Sequence, residues 1–134
     1  MPVPSLEPDR DTRILEVRVA GVAALLIAKA YKLGERFREA DQRRLVNKDA
    51  GDVLRLMLAT DTSPVLERLV VLLGDPRTEA TTRQGLTYLD QLFGGQRRPG
   101  VDMAVAALAP EIDDTQIRAL APAYIAALLT LDRR

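Results

Sequence analysis

The chain begins with a period of two and then changes to a longer one. In "RILEVRV", residues 13–19, Leu15, Val17 and Val19 fall on one side and Glu16 and Arg18 on the other, which predicts a β-strand. Before it, residues 1–12 hold Pro2, Pro4 and Pro8 with no period, which predicts an irregular lead-in. After it, Val22, Leu25, Leu26, Leu33 and Phe37 recur three and four apart, which predicts a helix over about 21–37. Asn47 is placed to cap a second helix ending near Ala59.

Ser63 and Pro64 open a third helix that stops at Gly74, and a fourth runs from Thr78 or Glu79 to Phe93 with Gly94 and Gly95 beyond. A short helix over about 101–109 ends at Pro110. The last pattern, 113–131, contains Pro122, which removes a backbone donor and is expected to kink or divide it. The expected fold is therefore mainly α: five to six helices with one N-terminal β-strand at about 13–19, in a single helical domain over 13–134. A lone strand leaves its backbone groups unpaired, so it requires a sheet from another molecule or segment, or a role as a packed arm.

Composition narrows the chemistry. The chain has 134 residues, the size of one domain. It has no Cys and no His, which excludes disulfides, Cys/His zinc sites, thiol nucleophiles and imidazole acid–base catalysis. Lys plus Arg equals Asp plus Glu at 19 each, so any anion site must be local. The most apolar run, Val19 to Ala28, is shorter than the ~18 to 20 residues that span a bilayer. With no signal pattern at the start, a cytoplasmic protein without membrane contact is expected.

Lys29 follows Leu25 and Leu26 by four and three residues and precedes Leu33 by four, so helical spacing sets it on the apolar face. There it either meets an anion or snorkels to water. Asp49 and Asp52 are one turn apart, with Val53 and Leu56 on the same face. Asp49 is also near the expected helix start, where a carboxylate complements the dipole without further purpose. Together the three residues predict a polar cluster where the first two helices meet, either a structural ion pair or part of an active site.

Between Lys29 and Lys48 stand Lys29, Lys32, Arg36, Arg38, Arg43, Arg44 and Lys48 against Glu35, Glu39 and Asp41. This local excess favours phosphate groups, or is simply a solvated helix end. No Gly-rich phosphate loop and no Gly-Ser with a following Asp-x-Asp is present. "DRD", Asp9 to Asp11, lies in the Pro-rich lead-in without a turn to fix it, and Arg97 and Arg98 lie in a Gly/Pro loop.

"VAGVAALLIAKAYKLGER" followed by "RRLVNKDAGDVLRLM" resembles the C-terminal helical part of AbiEii-type nucleotidyltransferases, the toxin-side enzymes of some bacterial toxin–antitoxin pairs. The matching positions are Lys29, Arg36, Lys48, Asp49 and Asp52, and the resemblance is strongest over 17–58. It implies transfer of a nucleoside monophosphate from an NTP with Mg²⁺, in several members to tRNA. Lys29 would then contact NTP phosphate with Arg36, Lys48 and Asp52 nearby, and Asp49 would act in catalysis by orienting the lysine or the attacking hydroxyl.

The family's Gly-Ser and metal-binding aspartates are missing, so Mg²⁺ and NTP enter only if a catalytic half is supplied. Gly51 also departs from the larger residue expected in mid-helix. The resemblance explains the orphan strand as the last strand of a catalytic sheet. It implies a missing catalytic domain or partner subunit, an antitoxin, and NTP or tRNA contact. The alternative is a stand-alone helical interaction module whose Lys/Asp cluster is structural and which dimerises through its strand. No metal ligands are assigned.

Overall fold

The computed structural model describes residues 8–36 and 43–133. Within them the protein is mainly α-helical, with six helices: α1 (Pro8–Arg36), α2 (Arg43–Ala59), α3 (Thr62–Gly74), α4 (Glu79–Phe93), α5 (Pro99–Leu108) and α6 (Asp114–Leu128). A 3₁₀ turn, Leu129–Arg133, follows α6. α1 packs against α2, α3 and α4, α2 lies along α5, and α6 closes the array against α2 to α5.

The expected strand is not formed: residues 13–19 lie inside α1, as do 8–12 of the expected lead-in, and 1–7 and Phe37 lie outside the described residues. Leu15, Val19, Val22 and Leu26 are four, three and four apart, so the alternating segment also satisfies a helical period. Helix settles the matter because it pairs every interior backbone group within the segment, whereas a single strand pairs none. Pro8 at the first helical position, with Asp9 and Asp11 in the first turns, suits a helix start. The sheet that the orphan strand demanded is therefore not required.

Other boundaries moved less. α2 begins at Arg43, four residues before the expected cap Asn47, which sits in the helix interior. α3 begins at Thr62, with Asp61 rather than Ser63 at the N-cap position and no side-chain capping bond, and Pro64 still lies in its first turn. α4 runs over the expected span, with Thr78 before it and Gly94 after it. α5 starts at Pro99, and α6 passes Pro122 without being divided.

The core lies between these helices. α1 contributes Ala23, Leu26, Ile27, Ala30 and Leu33, α2 contributes Ala50, Val53, Leu54 and Met57, and α4 contributes Leu86, Leu89, Leu92 and Phe93. Two glycines set helix spacing. A Cβ at Gly85 of α4 would lie 2.7 Å from Ile27 Cγ2, so α1 and α4 touch where α4 has no side chain. At Gly51 of α2 a Cβ would lie 3.1 Å from Ala107 Cβ on α5. Gly51 is thus the residue on which α5 rests.

Tyr124 of α6 is buried, and its hydroxyl donates to the Thr60 carbonyl at 2.9 Å, tying α6 to the α2–α3 junction. Burial, helped by the Asp61 carboxylate, pushes its phenol from 10.0 up to about 12.

Two outcomes follow from this packing. In urea denaturation, Gly85→Ala is expected to lose about 1–2 kcal/mol, because the stiff branched Ile27 must move. Gly51→Ala is expected to change stability by less than about 0.5 kcal/mol, the helix-propensity gain offsetting a smaller shift of α5. For Tyr124 the folded pKa is raised, so its contribution is complete below pH 10 and is lost as pH rises through about 12. Alkaline unfolding followed by circular dichroism should show a loss on the order of 2–3 kcal/mol in that window, and Tyr124→Phe should remove that pH dependence.

Candidate functional site

The helical reading of 13–36 fixes where the lysines point. Lys29 and Lys32 are three apart on α1, and Asp49 and Asp52 are three apart on α2, so one turn of each helix faces one turn of the other. Lys29 Nζ donates to Asp49 Oδ1 at 3.5 Å and to Asp52 Oδ2 at 3.3 Å. Lys32 Nζ lies 3.0 Å from Asp49 Oδ2. Each oxygen of Asp49 therefore faces its own ammonium.

Burial is uneven across the four. The Asp49 side chain keeps 9% of its accessible surface, Lys29 20%, Asp52 32% and Lys32 44%. Asp49 is the one buried carboxylate among the described residues, and no buried side-chain polar atom there lacks a hydrogen-bond partner. A buried carboxylate is tolerated only when paired. Two positive and two negative groups close on each other here, so the cluster is neutral as a whole.

Because α2 begins at Arg43, Asp49 is in its second turn, and the first turn holds no acidic residue. The helix-start explanation for Asp49 is thereby removed, and its position is explained by the lysines. Lys29, Asp49 and Asp52 are brought together as the spacing indicated. Lys32 completes the cluster and was not singled out from the sequence, although its distance of three residues from Lys29 carried the signal.

Lys48 stands apart. It is exposed and lines a groove of about 300 Å³ between α2 and α5 with Asn47, Gly51, Asp52, Arg55 and Leu108. That groove meets the cluster at Asp52. Arg55 at its edge is 3.7 Å from Glu111. Arg36 is in the last turn of α1, and its side chain lies outside the described residues, as do Arg38, Glu39 and Asp41.

The donor set does not suit Mg²⁺. Both Asp49 oxygens and one Asp52 oxygen are occupied by ammonium groups, and no three potential ligands gather among the described residues. Asp9 and Asp11 lie on α1 rather than in a loop.

A second polar constellation was missed in the sequence. Arg118 of α6 donates to Asp114 on its own helix, to the Gln96 carbonyl at 2.7 Å and to Asp102 of α5 at 2.8 Å. It fastens the α4–α5 loop to the starts of α5 and α6. Asp102, and then Asp114, hold its guanidinium above the usual value. Arg97 and Arg98, the expected loop pair, are exposed beside this clasp. A groove of about 420 Å³ lies against it, lined by Arg97, Asp114 and Arg118, so acid and base meet in it and it has no single sign.

No family model matches the chain, and neither a curated protein nor a solved structure matches it. The resemblance to AbiEii-type nucleotidyltransferases accordingly rests on the residues quoted for it. Among the described residues no helix is long and apolar enough to cross a membrane.

The uneven burial predicts uneven mutational cost. Asp49→Asn leaves two ammonium groups facing a neutral amide and is expected to destabilise by about 2 kcal/mol, less than a fully buried pair because both lysines reach water. Asp52→Asn removes a partly exposed partner and should cost less than about 1 kcal/mol. Urea titration of both variants checks the order, which reverses if Asp52 rather than Asp49 anchors the cluster.

Proposed function

We propose that this protein is a helical interaction module whose Lys/Asp cluster is a structural pin between α1 and α2. The observation that carries this reading is the closed pairing of the cluster. Lys29, the residue best placed on the apolar face to take a phosphate, is shared between two aspartates of the same chain. A phosphate arriving there must displace Asp49 or Asp52, and each displaced carboxylate repels it.

A second reading keeps the chain as the helical, substrate-side domain of a nucleotidyltransferase-like protein, inactive alone. One observation favours it: Lys29, Asp49 and Asp52 meet at the α1–α2 crossing, beside the groove that carries Lys48. In this reading Lys29, Arg36, Lys48 and Asp52 serve the nucleotide, Asp49 orients Lys29, and a separate catalytic domain supplies Mg²⁺, with tRNA as acceptor and an antitoxin as regulator. The orphan strand no longer supports it, because residues 13–19 are helical.

Thermal melting with NTP and Mg²⁺ separates the two. The module is expected to show no rise in melting temperature at millimolar NTP, and Lys29→Met is expected to lower its stability by leaving Asp49 with a single partner. A rise in the wild type that disappears in Lys29→Ala would reject the structural pin in favour of the nucleotide-handling domain.

A further inference from the structure

Of the eight prolines in the chain, only Pro76 follows an aspartate. The Asp75–Pro76 bond lies in the turn between α3 and α4, where Asp75 keeps 30% of its side-chain surface and Pro76 is exposed. A bond to proline is a tertiary amide, and its nitrogen carries no hydrogen. A carboxylate on the residue before it has the length to close a five-membered ring on its own carbonyl carbon. Two adjacent residues thus supply a nucleophile, an electrophile and a leaving group that solvent acid can reach.

The turn holds these parts in place. Asp75 Oδ1 accepts the Arg77 backbone N–H at 2.9 Å, and the ring that this bond closes contains the Asp75–Pro76 peptide itself. The Arg77 guanidinium reinforces the hold, with Nε 3.2 Å from Oδ1 and Nη2 2.9 Å from Oδ2. The freedom of the carboxylate is therefore lost before any reaction begins. On the same peptide, the Asp75 carbonyl oxygen accepts the backbone N–H of Thr78 at 3.0 Å and of Glu79 at 2.9 Å, with the Thr78 hydroxyl at 3.4 Å. Donors at such distances stabilise negative charge as it grows on a carbonyl oxygen.

We propose that the Asp75–Pro76 bond is a site of acid-triggered self-cleavage in the α3–α4 turn. A carboxylate oxygen of Asp75 adds to the Asp75 carbonyl carbon, whose oxygen is held by Thr78 and Glu79. The C–N bond to Pro76 breaks as that nitrogen takes a proton from hydronium and leaves as a secondary amine. Asp75 is left as a cyclic anhydride, which one water opens to two carboxyl groups. The net change is hydrolysis of one peptide bond. The pieces 1–75 and 76–134 stay joined, because α4 packs on α1 and α3 and α6 packs on α2.

The reaction needs an ionised carboxylate and a proton for Pro76 together, so its rate rises as pH falls and levels off below the Asp75 pKa. The Arg77 guanidinium, and then the Arg77 backbone N–H, hold that carboxyl below the usual aspartate range, which carries the rise further into acid. Of the other ionisable groups around the turn, Glu79 of α4 pairs with Arg83 at 3.5 Å, and Tyr31 of α1 lines the groove beside Arg77. Neither reading of the Lys/Asp cluster enters this inference.

The full chain is held at the lowest pH at which circular dichroism still shows its helices, beside the same chain in guanidinium chloride at that pH, and mass spectrometry reads the products. Two fragments, 1–75 and 76–134, are expected, with masses that sum to the intact chain plus one water. Their rate constant should not depend on protein concentration and should be about tenfold or more greater in the folded chain. Asp75→Glu keeps a carboxylate for Arg77 but lengthens the ring to be closed, and Pro76→Ala offers a less basic nitrogen. Each should slow the cut by about tenfold or more. A folded wild type cut no faster than the denatured chain overturns the proposal, and so does either variant cut at the wild-type rate.

Discussion

Asp49 is a carboxylate kept out of water between two helices, and the junction of α1 with α2 depends on what neutralises it. A buried carboxylate without a cation would protonate or force the helices apart. Lys29 and Lys32 prevent this from one face of α1, one to each oxygen. The cost of removing charges from water limits how much such a group adds to stability, but it strongly constrains arrangement. Sliding α1 by one turn past α2 would leave Asp49 facing at most one lysine. The cluster thereby ties α1 to α2 at the edge of a core that includes Leu26, Ala30 and Leu33 of α1 and Ala50, Val53 and Leu54 of α2.

α1 also makes close contact with its other neighbours. α1 meets α4 at Gly85, where Ile27 fills the space that a side chain would take, and Tyr88 lies over Gly34. Tyr88 also meets Tyr31 edge-on, with ring centroids 5.3 Å apart and planes at 80°. At the far end, Arg118 gathers three acceptors from three parts of the chain. Polar groups in this fold thus mark junctions: the Lys/Asp cluster holds α1 to α2, Tyr124 holds α6 to the α2–α3 turn, and Arg118 holds the loop between α4 and α5.

Much of this was legible in the sequence. Gly94 and Gly95 ended α4 at the expected place, and the face shared by Asp49, Asp52 and Val53 indicated a cluster with Lys29. The misreading of residues 13–19 has a definite cause. Seven residues are too few to separate a period of two from one of three and a half when three of them, Ile14, Val17 and Val19, are β-branched and favour strands locally. Only the continuation through Val22 and Leu26 decides it. Arg118 was invisible because its partners are 4, 16 and 22 residues away and no periodicity links them. Gly51 read as a departure from an expected pattern, and the approach of α5 that explains it is a tertiary fact.

The same lesson bears on what kind of protein this is. A reading built on Lys29, Asp49 and Asp52 gained force from an apparent strand, because the AbiEii-type resemblance implies a lysine helix fed by a strand of a catalytic sheet. Once residues 13–19 are helical, the cluster joins a helix of about 43 Å, the longest among the described residues, to α2. Among the described residues α1 packs on α2, α3 and α4, while its Leu25 keeps 42% of its surface in solvent. Exposed apolar side chains such as Leu25, Leu58, Val70 and Val71 stand among exposed cations such as Lys48, Arg97 and Arg98. With Asp49 neutralised by two lysines of the same chain, the cluster reads as a joint between α1 and α2, and that closure is the ground on which the interaction-module proposal stands.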